Sequence, residues 1–97
     1  MKYIGLISWL KPEEGGRTGQ IPFNTYKYGP QIRYENSHGN WSIIINNYKK
    51  VDDFLTLATM QYLNVSNSPK DLVVGLKFEL YEGSKKVAVG EIVDTTD

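Results

Sequence analysis

The 97-residue chain contains no cysteine and one histidine, His38, and these two shortages remove several kinds of chemistry. Without thiols there can be no disulfide bond, no cysteine-ligated zinc and no cysteine nucleophile. A catalytic histidine needs a positioned partner, whereas His38 stands in the polar run 36–40, which is typical of an exposed turn. We therefore predict that the chain is not an enzyme and that it holds no metal and no other cofactor.

An excess of charge is also missing, because eleven Lys and Arg residues balance eleven Asp and Glu residues. A domain that binds nucleic acid tightly on its own usually carries a strong basic excess. No apolar run approaches the roughly 20 residues that cross a bilayer. The balance therefore argues against tight RNA binding and against a membrane, and the lack of cysteine favours a cytoplasmic location.

Two further segments are interpreted by what they lack. The glycine-rich run Glu13–Arg17 does not have the GxxxxGKS/T spacing of a phosphate-binding loop, and no helical pattern follows it. We therefore predict that the chain binds no nucleotide. The apolar start of the chain is interrupted by Gly5 and Ser8 and has no small-residue cleavage site, so we interpret it as a first strand rather than a signal peptide.

Period-two alternation and β-branched or aromatic residues dominate what remains, and helical periodicity is absent. The clearest example is the run 76–81, where Leu76, Phe78 and Leu80 share one face. The pattern predicts six strands, namely Tyr3–Trp9, Gln31–Tyr34, Trp41–Tyr48, Phe54–Val65, Leu76–Tyr81 and Lys85–Val93. Closure of such a sheet removes its edges, so we predict an all-β fold, a six-stranded antiparallel closed β-barrel, in which residues 1–97 form one domain.

The connections between these strands also carry information. Gly83 and Ser84 fit a type II′ turn that joins the last two strands as a hairpin. The long segment Glu13–Pro30 is rich in glycine and proline but also contains aromatic residues, and this predicts an ordered loop. We expect the chain to leave the third strand at Asn46–Lys50 and to fray over Asp94–Asp97.

One cluster of side chains is a candidate binding site. It combines cationic and amide groups near aromatic residues, which is suited to contacts with phosphates and sugars. Its members are Arg17, Lys27, Gln31 and Arg33 from the loop and second strand, and Glu82, Gly83, Lys85 and Lys86 from the final hairpin. The alternative is that Lys85 and Lys86 only keep an exposed turn in solution.

Two stretches of the chain resemble a known family. Residues 11–31 contain Glu-Glu-Gly-Gly-Arg followed by a Pro-Gln pair, and residues 75–93 contain Gly-Leu-Lys-Phe, then Glu-Gly and a valine-rich strand. Both stretches resemble the third, C-terminal β-barrel domain of elongation factor Tu. The resemblance implies a six-stranded barrel, and it places Arg17, Gln31, Glu82 and Gly83 at positions that lie near the T-stem of tRNA in the family.

The chain departs from the family at other positions. Thr18 replaces the histidine that follows the arginine, and the run 35–41 has lost a threonine that faces tRNA in the family. With zero net charge, these departures predict weak tRNA binding and favour a protein partner. The strands with two apolar sides, Trp41–Tyr48 and Phe54–Val65, also predict a surviving partner surface.

The leading functional prediction is a stand-alone, non-catalytic binding module similar to the elongation factor Tu C-terminal domain. It would bind a protein or RNA component of the translation machinery through Arg17, Gln31, Arg33, Glu82, Gly83 and Lys85. The expected protein partner is a translation factor, a GTPase domain or a toxin. The alternative function is that of an immunity or antitoxin-like protein, which binds a toxin by imitating the elongation factor surface.

Overall fold

The computed structural model describes residues 2–25, 27–35, 41–63 and 72–96. Its six strands are β1 Lys2–Trp9, β2 Gln31–Tyr34, β3 Trp41–Asp52, β4 Leu55–Tyr62, β5 Lys77–Glu82 and β6 Lys85–Thr96. Every neighbouring pair is antiparallel, and the order β1-β4-β3-β2-β5-β6 returns to β1, so the sheet closes into a ring. The predicted all-β architecture with six antiparallel strands is confirmed.

Helical structure in the described part of the chain consists of one 3-10 turn, Pro12–Glu14. None of the described residues belongs to a helix of the length and apolarity that crossing a membrane requires. The predicted turn at 36–40, which includes His38, and residues 64–65 at the end of the predicted fourth strand lie outside the described residues.

Alternate residues of the strands point into the ring and form its apolar core, as period-two alternation requires. The largest completely buried apolar side chains are Ile7, Ile32, Ile43, Ile45, Met60, Leu80, Val87 and Ile92. Phe78 also points inward and is buried, and Gly90, its direct partner on β6, leaves space for its ring. A Cβ atom on Gly90 would lie 2.5 Å from Cζ of Phe78.

The hairpin between β5 and β6 matches its prediction closely. Phe78 and Leu80 are buried, whereas Lys77 and Glu79 on the other face are exposed or half-buried. Gly83 has a φ of 64°, and among the described non-glycine residues only Asn24 has a positive φ. This combination fits the predicted type II′ turn, which needs a positive φ only at its first central residue.

Two predicted strand ends are wrong. The third strand does not stop at Asn46–Lys50, because β3 continues to Asp52 opposite β4 through two register shifts, which suit a bent strand. The last strand does not fray after Val93. Residues 94–96 extend β6 and pair with the start of β1, so backbone pairing outweighs the polar character of these residues.

The fourth strand begins one residue later than predicted, at Leu55, and Phe54 lies outside it with 37% of its surface exposed. The two apolar sides predicted for this strand are present. Thr56, Ala58, Met60 and Tyr62 are buried in the ring, while Leu55 and Leu57 are half-buried on its outer surface. The outer surface of β4 is therefore not a purely polar, solvated face.

Candidate functional site

The candidate site begins at the loop between β1 and β2, residues 10–30, called the long loop below. The 3-10 turn at its start is closed by bonds from the backbone N–H groups of Glu14 and Gly16 to the carbonyl oxygen of Lys11. Gly15 has a φ of 89°, a conformation that favours glycine, and Gly16 packs tightly on Leu10. The two glycines therefore turn the chain sharply and place Arg17 beside the hairpin between β5 and β6.

Arg17 meets the final hairpin there. Its Nε donates a hydrogen bond of 2.6 Å to Oε2 of Glu82, and its guanidinium also donates to the carbonyl oxygen of Gln20. The hydroxyl of Tyr28 donates to the same carboxylate oxygen of Glu82 at 2.6 Å. The guanidinium lies 5.2 Å from the ring centre of Tyr28, so three side chains hold one another in place.

The environment keeps Tyr28 protonated. Burial raises the pKa of the Tyr28 hydroxyl well above its usual range, and the hydrogen bond to Glu82 and the charge of Glu82 raise it further. The charge of Arg17 acts in the opposite direction but is the smallest of these effects. Tyr28 therefore remains a hydrogen-bond donor, and Glu82 accepts bonds from both of its neighbours.

A second group of side chains lies on the outer surface of β2, β5 and β6. The guanidinium of Arg33 lies 4.0 Å from the ring centre of Tyr81, and Glu79 accepts hydrogen bonds from Tyr81 at 3.2 Å and from Lys86 at 2.9 Å. The bond from Lys86 is the largest factor that lowers the pKa of the Glu79 carboxyl, and the same bond raises the pKa of Lys86. This outer group is largely paired within itself.

Most of the predicted site residues come together. A shallow concavity of about 280 Å³ lies between the long loop and the hairpin, and Gln31, Glu82 and Gly83 line it. Arg17 borders it through its contact with Glu82. Arg33 lies beside it on the outer surface, and Lys85 is exposed at the next position after the turn, opposite Glu82. The predicted site residues therefore lie around one end of the hairpin.

The charges of this region are not arranged like those of a phosphate site. The cation of Arg17 is paired with Glu82, and that of Lys86 is paired with Glu79 at 2.9 Å. Lys27 and Lys85 are exposed and form no ion pair with any residue that the structure describes. Because carboxylates stand beside Arg17 and Lys86, the attraction of these two cations for a polyanion is reduced.

The sequence did not reveal a buried relay of polar groups beneath the long loop. Trp9 Nε1 donates to the hydroxyl of Thr56 at 2.9 Å, this hydroxyl donates to Oδ1 of Asn47 at 2.7 Å, and Nδ2 of Asn47 donates to the carbonyl oxygen of Pro22 at 2.7 Å. The backbone N–H of Asn24 also donates to the carbonyl oxygen of Asn47. This relay, which we call the Asn47 relay, anchors the middle of the loop.

The signal that could have revealed the Asn47 relay is the inward alternation of Ile43 and Ile45, which continues to Asn47 and buries it completely. No protein-family model matches the chain, and the search of curated proteins also gave no match.

Proposed function

We propose that the chain is a stand-alone, non-catalytic binding module of the elongation factor Tu C-terminal type. Its binding surface, which we call the hairpin face, consists of Gln31, Arg33, Tyr81, Glu82, Gly83 and Lys85. The observation that carries this proposal is the contact of Arg17 with Glu82, since these residues belong to the two separate stretches that resemble the family. Residues matched from the two stretches meet in one place.

The fold supports the same proposal. The resemblance implies a closed six-stranded antiparallel barrel, and the described strands form a closed ring of six antiparallel strands. The loop that carries Arg17 is fixed to the ring by the Asn47 relay, and its last residues pair with β3 through the carbonyl oxygens of Tyr28 and Pro30. The loop beside the hairpin face is therefore attached to the ring at several points, which supports a preformed binding surface.

A protein component of the translation machinery fits the hairpin face better than RNA. Ion pairs already neutralise Arg17 and Lys86, so few phosphates could be neutralised by release of counterions. Tyr81 and Arg33 instead offer an aromatic and guanidinium surface, and these two residue types are enriched in protein interfaces. The proposed partner is a translation factor or a GTPase domain.

The test is affinity purification from the native cell with identification of the bound proteins and RNA. The wild-type chain is compared with Lys85→Glu, on the hairpin face, and with Lys49→Glu, a matched reversal of an exposed lysine on β3. We expect a translation factor or GTPase domain to bind the wild type and Lys49→Glu but to be reduced with Lys85→Glu. Equal recovery with all three proteins would contradict the hairpin face.

The immunity alternative gives a different outcome in the same experiment. A toxin, rather than a translation component, would then be the protein lost with Lys85→Glu. A toxin gene next to the gene for this chain would support that function, whereas a neighbouring truncated GTPase gene would support the translation module.

A further inference from the structure

The outer surface of the neighbouring strands β6, β1, β4 and β3 presents side chains in aligned rows. Leu6 on β1 pairs with Glu91 on β6 and with Leu57 on β4. Leu57 in turn pairs with Lys49 on β3, which completes a row of four residues. The residues next to Leu6 and Leu57 in the sequence are buried in the ring, so this row points outward. We call the surface the outer sheet face, and it includes the two adjacent rows, which are Asp94, Ile4, Thr59 and Asn46 on one side and Val89, Ser8, Leu55 and Asp52 on the other.

The middle of the outer sheet face is apolar. None of the six residues that β1 and β4 contribute to the three rows is charged, and four of them are apolar, namely Ile4, Leu6, Leu55 and Leu57. Leu6, Leu55 and Val89 also line a concavity of about 460 Å³, and Val89 exposes 38% of its surface. A protein that covered this region would remove apolar surface from water.

The two flanks of the middle row carry opposite charges. Glu91 is half-buried on β6, and Lys49 is exposed on β3. Neither side chain forms an ion pair with any residue that the structure describes, although Lys77 lies directly opposite Glu91 on β5. The chain has a formal net charge of zero, so two copies do not repel each other as wholes. The outer sheet face therefore offers one acidic and one basic flank to a partner.

A second copy of the same face matches this pattern. A two-fold axis that runs parallel to the strands, between β1 and β4, stacks β3 of one copy on β6 of the other. Lys49 then faces Glu91 twice, because every contact across a two-fold axis is repeated, and Leu6 faces Leu57 in the centre. In the adjacent rows, each charged residue faces an uncharged one: Asp94 faces Asn46, and Asp52 faces Val89.

The direction of the axis follows from the same charges. An axis in the plane of the interface but across the strands would place each Lys49 on the other Lys49 and each Glu91 on the other Glu91. Like charges at such distances repel. The pattern therefore favours one of the two face-to-face arrangements.

We propose that the outer sheet face binds a second copy of this chain, with Lys49 of each copy paired with Glu91 of the other. The charge pattern selects this occupant, since the acidic flank complements the basic flank of the same surface. The proposal goes beyond the proposed function and does not depend on it. No residue of the hairpin face belongs to the three rows, so the dimer presents two hairpin faces.

Sedimentation equilibrium of the full chain tests the proposal. We expect the wild type to dimerise with a Kd on the order of 10 μM in about 0.05 M salt, where exposed charges are weakly screened. Lys49→Glu and Glu91→Lys should each weaken dimerisation at least roughly tenfold, because each reversal sets like charges opposite each other at both symmetric contacts. Lys85→Glu, a matched reversal of an exposed lysine on the hairpin face, should leave dimerisation unchanged.

A mixture of the two reversed variants gives the sharpest result. When Lys49→Glu meets Glu91→Lys, the introduced glutamate faces the introduced lysine, and the unchanged Lys49 and Glu91 face each other. We expect the equimolar mixture to dimerise within about threefold of the wild type, although each variant alone does not. Damage to the fold by either substitution could not produce this recovery.

The apolar centre is tested separately. Leu57→Lys should abolish detectable dimers, because it places a charge opposite Leu6 of the other copy. Val74→Lys, at an exposed valine outside the outer sheet face, is the control and should not change dimerisation. Circular dichroism shows whether each variant keeps the β fold.

Several results would overturn the proposal. A wild type that stays monomeric up to about 0.5 mM would make a different protein the occupant of the face. Unchanged dimerisation in both reversed variants, no recovery in the mixture, or an equal loss with Lys85→Glu would remove the Lys49–Glu91 contact. These failures differ from failure of the proposed function, because recovery of the cellular partner depends on Lys85→Glu and dimerisation depends on Lys49→Glu.

Discussion

The ring of strands and the long loop are held by different interactions. Continuous antiparallel pairing and a core of aliphatic and aromatic side chains hold the ring. The predicted alternation of β5 already indicates this. The long loop is instead held by isolated backbone bonds of Asn24, Tyr28 and Pro30 to β3. Side-chain bonds from Arg17, Tyr28 and Asn47 complete its attachment. Loop substitutions should therefore alter binding at a smaller cost to the fold than core substitutions.

The largest expected effect belongs to the core of the ring. Phe78→Ala should lower the free energy of unfolding by about 3 to 5 kcal/mol, because it removes a buried aromatic ring and leaves a cavity beside Gly90. Denaturant unfolding measures the change, and Lys77→Ala, at the exposed neighbouring position, is the control. A loss below about 1 kcal/mol would mean that the faces of β5 are assigned the wrong way round.

The Asn47 relay connects the two regions, so its removal should have an intermediate effect. Asn47→Ala removes the acceptor of the Thr56 hydroxyl and the donor to the carbonyl oxygen of Pro22, which should cost about 1 to 3 kcal/mol. In Asn47→Ala, hydrogen exchange at the amide of Asn24 should accelerate more, relative to the wild type, than exchange at the strand amides. Uniform acceleration throughout the ring would show that the loop and the ring do not open separately.

The Arg17–Glu82 pair should have a smaller effect on stability, because both side chains are partly exposed. A double-mutant cycle with Arg17→Ala, Glu82→Ala and the double variant should give a coupling energy of roughly 1 kcal/mol. Exchange of the loop amides should rise in all three variants while that of the β3 and β4 amides stays constant. A coupling energy near zero would remove the pair as the link between loop and hairpin.

The smallest effect concerns the exposed pair of Glu79 and Lys86. Because Lys86 lowers the pKa of Glu79, the ionised carboxylate stabilises the fold above the ordinary carboxyl pKa. This contribution to stability is lost as the pH falls through the lowered value. Because Glu79 raises the pKa of Lys86, the protonated ammonium stabilises the fold below the ordinary lysine pKa. This contribution to stability is lost as the pH rises through the raised value. Glu79→Gln should weaken the dependence of the melting temperature on pH in both of these pH ranges. An unchanged dependence would contradict the pairing.

The fold could be predicted largely because the ring follows local patterns. Alternation at Phe78 and Leu80 and a glycine at the first turn position define a hairpin without knowledge of any distant residue. The end of β3 was missed because Asn46 and Asn47 are polar. Burial of Asn47 depends on Thr56 and on Trp9, whose bond to Thr56 spans 47 positions of the sequence.

The proximity of the candidate residues was predictable, but the way their side chains pair was not. The resemblance grouped Arg17 with Glu82, but it did not indicate that the two side chains neutralise each other across 65 positions of the sequence. Tyr28 was not singled out as a site residue, although it shares the carboxylate of Glu82. Such pairing depends on the path of the long loop, for which glycine and proline predict irregular structure but no particular course.

We propose that the hairpin face serves a protein partner and that Arg17 is committed to Glu82 rather than to phosphate. A filter-binding titration with isolated tRNA at about 0.15 M salt tests it most directly, with the wild type and Arg17→Ala side by side. We expect a Kd no tighter than roughly 10⁻⁴ M for the wild type and little change in Arg17→Ala. Sub-micromolar affinity that collapses in Arg17→Ala would contradict it and would assign the hairpin face to tRNA.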